Sequence, residues 1–445
     1  MAAPSLQDGI ERAGSAVGLR WADHAQVWAP PVIEPEYSGW RKEQAAWRDS
    51  VALMDLSYHM WDTFIEGPDA TRMLSELSAN NYEKFAIDQA KQFVTVSERG
   101  YLVGDGILLR KGAQNYVLTG RPTAQNWITY NARQGGYDVA LRSDPDCSRD
   151  PNHIPPFFRY QIQGPLAQPL IETAFDGPLP VTKFFHTTNV ALAGKTFRAL
   201  RHGMAGQPGY EFIGDHADHA PVKEALMKAG EQFGLELVGS RAYPTAQAEG
   251  GWVPAPVPAI YDDSPSQTAY RSWLPLHTPD GMQPLNGSFY SPDIADYYVT
   301  PYELDYGRSV SFNHEFLGRD ALLALKDAER RHKVTLVMQA DDVASVLGAG
   351  HGIVNSVAKQ RVEINGELVG KTEYAAFNDP YGTMLSLALL SEANAKPGTE
   401  VTVVWGDHPG GDVAPDADLG LPRIRATVQP CPYNEFARAG YRQDI

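Results

Sequence analysis

The sequence predicts an α+β fold of more than one domain, and three observations point there. Its 445 residues exceed what one hydrophobic core usually supports, so two or three domains are expected. From Asp69 to Phe233, strand-like and helix-like runs alternate with glycine-rich turns between them. After the charged stretch KDAERRHK, Lys326–Lys333, the pattern turns almost wholly to strands.

In chain order, Asp69–Ser78 (DATRMLSELS) spaces apolar residues helically behind an acidic start, and Gln92–Val96 reads as a strand. Tyr101–Val117 alternates short apolar runs with glycines, which suits two strands and a turn. Asp105 stands there between Gly104 and Gly106, an arrangement commonest in turns, though it could equally hold a carboxylate at the floor of a cleft. A second cycle follows. Arg159–Gln163 is strand-like, Pro165–Phe175 helical, and Asn189–Leu192 and Phe197–Leu200 strand-like; an amphipathic helix from Ala220 to Phe233 then stops at Gly234. Trp252–Pro301 is rich in Pro, Ser and Asp but carries scattered aromatics, so an ordered loop wrapping the body is expected. Lys326–Lys333 is the expected linker to a β-barrel or sandwich over 331–445, in which Asn365-Gly366 makes a hairpin turn.

Charge narrows the partners. The chain has 54 acidic and 38 basic residues, a net charge of −16, and no dense Lys/Arg run. A nucleic-acid groove or an anionic membrane surface is therefore not expected. No signal-peptide pattern and no run near the ~20 apolar residues of a membrane span is present, which predicts a cytoplasmic protein. Cys147 and Cys431 are far apart and make neither a disulfide framework nor a zinc site. His216 and His219 come nearest to a metal pair, but at a helix start among aspartates, and no metal is expected.

Chemistry could sit in several places. In RHGMAGQPGYEFIG, Arg201–Gly214, three glycines let the backbone approach something closely and Glu211 follows in a strand. An ionised carboxylate there could accept paired N–H donors from a flat heterocycle; a tight turn with a surface Glu fits the same residues. Arg121, at the end of the strand-like NYVLTG, could clamp a carboxylate with its planar fork or make a surface salt bridge. On spacing alone His59 reads as a core histidine, and Tyr243 in GSRAYP as a packing ring.

These residues carry a resemblance. RHGMAGQPGYEF, YQIQGP and TPYELDYGRSVSFNHEFLGRDAL resemble ordered motifs of the aminomethyltransferase (glycine-cleavage T-protein) superfamily. More narrowly, WRKEQAAWRDS, SYHMWD, GDGI, GRPTAQNW and GSRAYPTAQAEGGWVPAPVPAIY are similar to segments of the tetrahydrofolate-dependent aryl O-demethylases. The resemblance implies a three-domain cloverleaf with tetrahydrofolate in the central opening. Its two interleaved α+β domains would span 1–50 plus 155–235 and 51–154 plus 236–328, followed by a C-terminal β-barrel over 331–445. It also implies transfer of a methyl group from a methoxylated aromatic acid to N5 of tetrahydrofolate. Tyr243 would be the catalytic proton donor, Arg121 the holder of the substrate carboxylate, and His59 a wall of the aromatic pocket. Glu211 would bind the pterin edge, with Gln161, Gln163, Trp252, Asp105 and Arg201 around the folate. One departure stands out: where these enzymes carry a pocket tyrosine before EPEYSGW, this chain reads VWAPPVI, and Trp28 is the nearest aromatic. A superfamily enzyme acting on a small N-methyl or S-methyl donor, or a non-catalytic folate-binding protein, would share the fold without the aromatic pocket.

Overall fold

The computed structural model describes residues 3–22, 28–348 and 350–440. The ends of the expected first and third domains lie outside them.

Alternating polar and apolar residues in Phe157–Gln163 (FFRYQIQ) make a strand with two unlike faces, and this strand centres the first sheet. The order is Leu235–Val238, Val51–Asp55, Phe157–Gln163, Gly209–Asp215, Lys195–Leu200, Thr187–Leu192. Val51–Asp55 runs parallel to Leu235–Val238; the other pairings are antiparallel. One face puts Leu53, Phe158, Tyr160, Ile162 and Phe212 against the helices Ala167–Ala174 and His219–Gly230. The other face carries Arg159, Gln161 and Glu211, with Glu211 directly opposite Gln161. Val51–Asp55, placed with the second domain in the expected division, thus pairs within the first sheet.

The second sheet is antiparallel, in the order Ala90–Val96, Leu102–Gly112, Asn115–Gly120, Trp61–Glu66, Ala140–Asp144. Helix Pro122–Gly135 covers it, with Pro122 in the first turn and Gly136 closing the end at φ 64°. Of the two readings open for Gly104-Asp105-Gly106, the turn gives way: all three lie inside Leu102–Gly112, and the turn falls after Gly112. The glycines serve close packing instead. A Cβ on Gly104 would come within 2.8 Å of Ala124 N, and one on Gly106 within 2.8 Å of Thr119 O.

The wrapping segment after Trp252 is ordered and includes helix Pro265–Trp273. Its Tyr270, Leu274, Leu285 and Tyr297 share a core with Leu6 and Val17 of the N-terminal helices Leu6–Ala13 and Ala16–Arg20. The charged stretch 326–333 is only partly a linker. Its last three residues begin strand Arg331–Met338, where Arg331 Nε meets Glu303 at 2.6 Å and Lys333 Nζ donates to Gly251 O at 2.9 Å.

The C-terminal unit is a closed six-stranded barrel. Arg331–Met338 pairs with Thr383–Ser391, then follow Glu367–Asn378, Arg361–Ile364, Glu400–Val404 and Arg423–Gln429, which returns to Arg331–Met338. Closure leaves no free sheet edge in that ring. Asn365 (φ 53°) and Gly366 (φ 86°) form the expected two-residue turn. Among the described residues no helix is long and apolar enough to cross a membrane.

Candidate active site

A cavity of about 1110 Å³ opens between the polar face of the first sheet, the second sheet and the C-terminal end of the barrel unit. Glu211 and Arg159 come to it from the first sheet, Asp105, Thr119 and Arg121 from the second, and Lys333, Cys431 and Pro432 from the C-terminal unit.

Arg159 organises the sheet side. Its Nη2 meets both oxygens of Asp62 at 2.8 and 3.0 Å, and its Nη1 reaches Glu211 at 3.4 Å. Asp62 also accepts from Thr119 Oγ1 at 2.5 Å. The two carboxylates hold the guanidinium pKa above its ordinary value against the opposing effect of burial. Opposite Glu211, Gln161 accepts from Met204 N at 3.2 Å, while its Nε2 is buried without a hydrogen-bonding partner among the described residues. A carboxylate with free acceptor capacity beside an orphaned amide donor is a complement for a flat, edge-bonding heterocycle.

Asp105 faces the same space. Gln92 Nε2 donates to it at 3.2 Å and Trp252 Nε1 at 3.4 Å, so the indole of Trp252 is held as a wall. Burial raises the Asp105 pKa, opposed by those donors and by the charge of Arg121. Arg121 is exposed to the cavity. The protein packed around it lowers its pKa, with Asp280 and Asp105 opposing, and Nη1 is steadied on Pro254 O at 3.0 Å. An arginine guanidinium is a cation at every ordinary pH.

Tyr243, His59 and Trp28 meet in one aromatic cluster. His59 Nε2 lies 3.2 Å from Tyr243 Oη, and the ring centroids are 5.0 Å apart. Trp28 packs edge-on to His59 at 5.4 Å and tilted to Tyr243 at 6.3 Å. Burial lowers the His59 pKa to about 4, so the imidazole is neutral at pH 7. Burial first, and the Glu211 carboxylate second, raise the Tyr243 pKa, so the phenol keeps its proton. Leu56 and Met60, on either side of His59 in sequence, line the cavity and connect the cluster to it.

Of the expected residues, Glu211, Asp105, Arg121 and Trp252 line the cavity; Gln161 and the Tyr243–His59–Trp28 cluster stand behind its lining, and Gln163 and Arg201 are turned away from it. Gln163 turns into the glycine loop, accepting from Ala205 N at 2.8 Å and donating to Gln207 O at 3.1 Å. A Cβ on Gly203 would fall 1.4 Å from Gln163 Nε2, so a larger residue there would displace that amide from both bonds. Arg201 is buried behind the loop with Nη1 on Thr182 O at 3.0 Å. Two residues that the sequence reading missed do line it, Arg159 and His202, the latter stacked on Phe185 at 5.2 Å. Arg159 had a signal: a charge alternating with Gln161 on one face of an apolar strand. Among the described residues no cluster of His, Cys, Asp and Glu could hold a metal ion.

Comparison with known proteins fits this arrangement. Residues 14–267 match the GCVT N-terminal domain family. The chain is 35% identical to syringate O-demethylase of Sphingobium sp., over 99% of this chain and 98% of that one. It is 28% identical to sesamin methylene transferase of Sinomonas sp., covering 91% and 90%, and 25% identical to an aminomethyltransferase of Streptomyces avermitilis, covering 86% and 89%. The crystal structure of glycine cleavage system aminomethyltransferase T from Bartonella henselae superposes with a TM-score of 0.61 over 95% of each chain at 19% identity, a likeness of fold.

Proposed function

This chain belongs to the family of the GCVT N-terminal domain, and we propose that it is a tetrahydrofolate-dependent aryl O-demethylase acting on a methoxylated aromatic acid of the syringate, vanillate or 3-O-methylgallate kind. The observation that carries the reading is the Tyr243–His59 pair, a phenol kept protonated within aromatic walls beside the cavity that holds Glu211.

The residues present fit the folate. Glu211 and the orphaned Gln161 amide match the donor and acceptor edge of a pterin, Trp252 gives it a flat wall tied to Asp105, and the cavity has ample volume for a ligand of that size. Bound tetrahydrofolate supplies N5 as the methyl acceptor. Gln163 serves the site indirectly, by fixing the glycine loop that borders it, while Arg201 at the head of that loop is tied to Thr182 O.

A methyl ether resists cleavage because phenoxide leaves poorly. As the carbon–oxygen bond breaks, its electron pair stays on the aryl oxygen, and Tyr243 donates its hydroxyl proton there. Such donation is worth about two to four powers of ten. Burial raises the pKa of Tyr243, so the phenol holds its proton until the leaving oxygen takes it. Neutral His59 holds the Tyr243 hydroxyl in line, and with Trp28 it flanks the substrate ring. Arg121 anchors the ring carboxylate, which orients the methoxy group; alignment of this kind supplies several kcal/mol. The products would be a phenol and 5-methyltetrahydrofolate, and a proton lost from the acceptor nitrogen would restore the Tyr243 phenol.

Incubating the protein with tetrahydrofolate and a panel of methoxylated aromatic acids, then measuring 5-methyltetrahydrofolate and phenol in equal amounts, tests the proposal. Turnover of a methylamine donor with none of the methoxyarenes would overturn it.

A further inference from the structure

Tyr243 heads a short helical segment, a 3-10 turn over Tyr243–Thr245 that runs into helix Ala246–Gly250; Trp252 follows two residues beyond its end. The segment therefore sets the spacing between the proposed proton donor and the proposed cofactor wall. No side chain caps either part of it. Its fastenings come from outside.

Pro244 O accepts from Tyr374 Oη at 2.6 Å. Thr245 Oγ1 accepts from Gln44 Nε2 at 2.8 Å, and Gln44 also donates to Phe377 O at 3.0 Å. Glu249 accepts from Trp47 Nε1 at 3.1 Å, Asn378 Nδ2 at 2.6 Å and Tyr381 Oη at 3.1 Å. Tyr374, Phe377 and Asn378 all belong to the barrel strand Glu367–Asn378, and Gln44, Trp47, Glu249, Tyr374 and Asn378 are all buried. A buried carboxylate met by three neutral donors is costly to keep, and it fixes three partners by direction.

We propose that Tyr374 and Glu249 are positioning residues through which the barrel holds the Tyr243 hydroxyl in register with the cofactor wall. The inference rests on Tyr243 being the proton donor. A segment that slips slightly keeps its fold and its ligands but misplaces the hydroxyl. That misplacement is felt only as far as the leaving oxygen needs a proton. Methoxyarenes with a strongly acidic phenol, such as nitro-substituted ones, leave with little help, whereas ordinary methoxybenzoates do not.

The test compares kcat over a series of methoxyarenes of graded phenol acidity for the unmodified protein, Tyr374→Phe and Tyr243→Phe, together with Kd for tetrahydrofolate. Tyr374→Phe is expected to lower kcat on the order of ten-fold for the least acidic phenols and less than about two-fold for the nitro-substituted ones, with Kd unchanged. Glu249→Ala should repeat that pattern, and Glu249→Gln, which keeps an acceptor for Trp47 and Asn378, should restore most of the rate. Should Tyr374→Phe fail to fold, the Glu249 pair carries the comparison. An equal loss across the series, or no loss at all, overturns the positioning role. If Tyr243→Phe itself shows no dependence on the leaving group, the proton-donor reading falls, and the positioning role with it.

Discussion

Replacing Glu211 by Gln separates cofactor recognition from the integrity of the sheet. Arg159 is held chiefly by Asp62, at 2.8 and 3.0 Å, and reaches Glu211 only at 3.4 Å. Removing the Glu211 charge leaves the guanidinium paired, and the fold should lose about 1 kcal/mol or less. The cofactor side differs. A carboxylate accepts two N–H bonds, each worth roughly 1.5–3 kcal/mol when one partner is charged, whereas an amide turns one acceptor into a donor facing another donor. The expected loss is about 3 kcal/mol, or roughly two powers of ten in Kd. Titration calorimetry with tetrahydrofolate gives Kd, and thermal unfolding gives the stability change. A Kd within about three-fold of the unmodified protein would refute the assignment of Glu211 to the pterin edge.

Other perturbations probe the remaining roles. Tyr243→Phe should lower kcat on methoxybenzoates by about two to four powers of ten while both ligands still bind; a rate near that of the unmodified protein would remove the proton-donor role. Arg121→Ala should raise KM for aromatic acids far more than for uncharged guaiacol-type substrates, and equal effects on both would contradict a carboxylate clamp. His59 makes stability pH-dependent. Its folded pKa, about 4, lies below the ordinary 6.5, so the unfolded chain takes up a proton first as pH falls. Stability should drop by about 3 kcal/mol between pH 6.5 and pH 4 and then level off for this group. Denaturant titrations should show that slope diminished in His59→Phe; an identical slope would place the titration elsewhere.

Much of the architecture was legible because local pattern decided it. The helix expected over Ala220–Phe233 is found as His219–Gly230 with a 3-10 turn to Phe233, closed by Gly234 at φ 67°, and the barrel hairpin has Asn365-Gly366 where a tight turn needs two left-handed residues. Contacts between distant segments were not legible. The Arg159–Asp62 pair joins strands of different sheets, 97 residues apart. Gln163 looked like a cofactor ligand in YQIQGP, yet its amide is spent on the loop that Gly203 leaves room for. Gly104 and Gly106 left a turn and a cleft floor equally open because glycine signals both a turn and a close approach, and here the approach is of a helix and a neighbouring strand. Lys333 sat in a charged run that read as a linker, but its ammonium donates to the Gly251 and Leu304 carbonyls at the cavity. The aromatic cluster was readable from its motifs: Tyr243 and His59 came from them, Trp28 stood as the aromatic nearest the missing pocket tyrosine, and the fold brings it against both.

Methyl transfer from aryl ether to folate is the central claim, and an isotope test reaches it directly. The protein is incubated with tetrahydrofolate and syringate bearing trideuterated methoxy groups, and the products are analysed by mass spectrometry. The account predicts 5-methyltetrahydrofolate carrying all three deuterium atoms, matched by the demethylated phenol. Label recovered in formaldehyde or methanol, or a phenol formed without labelled folate, would contradict it.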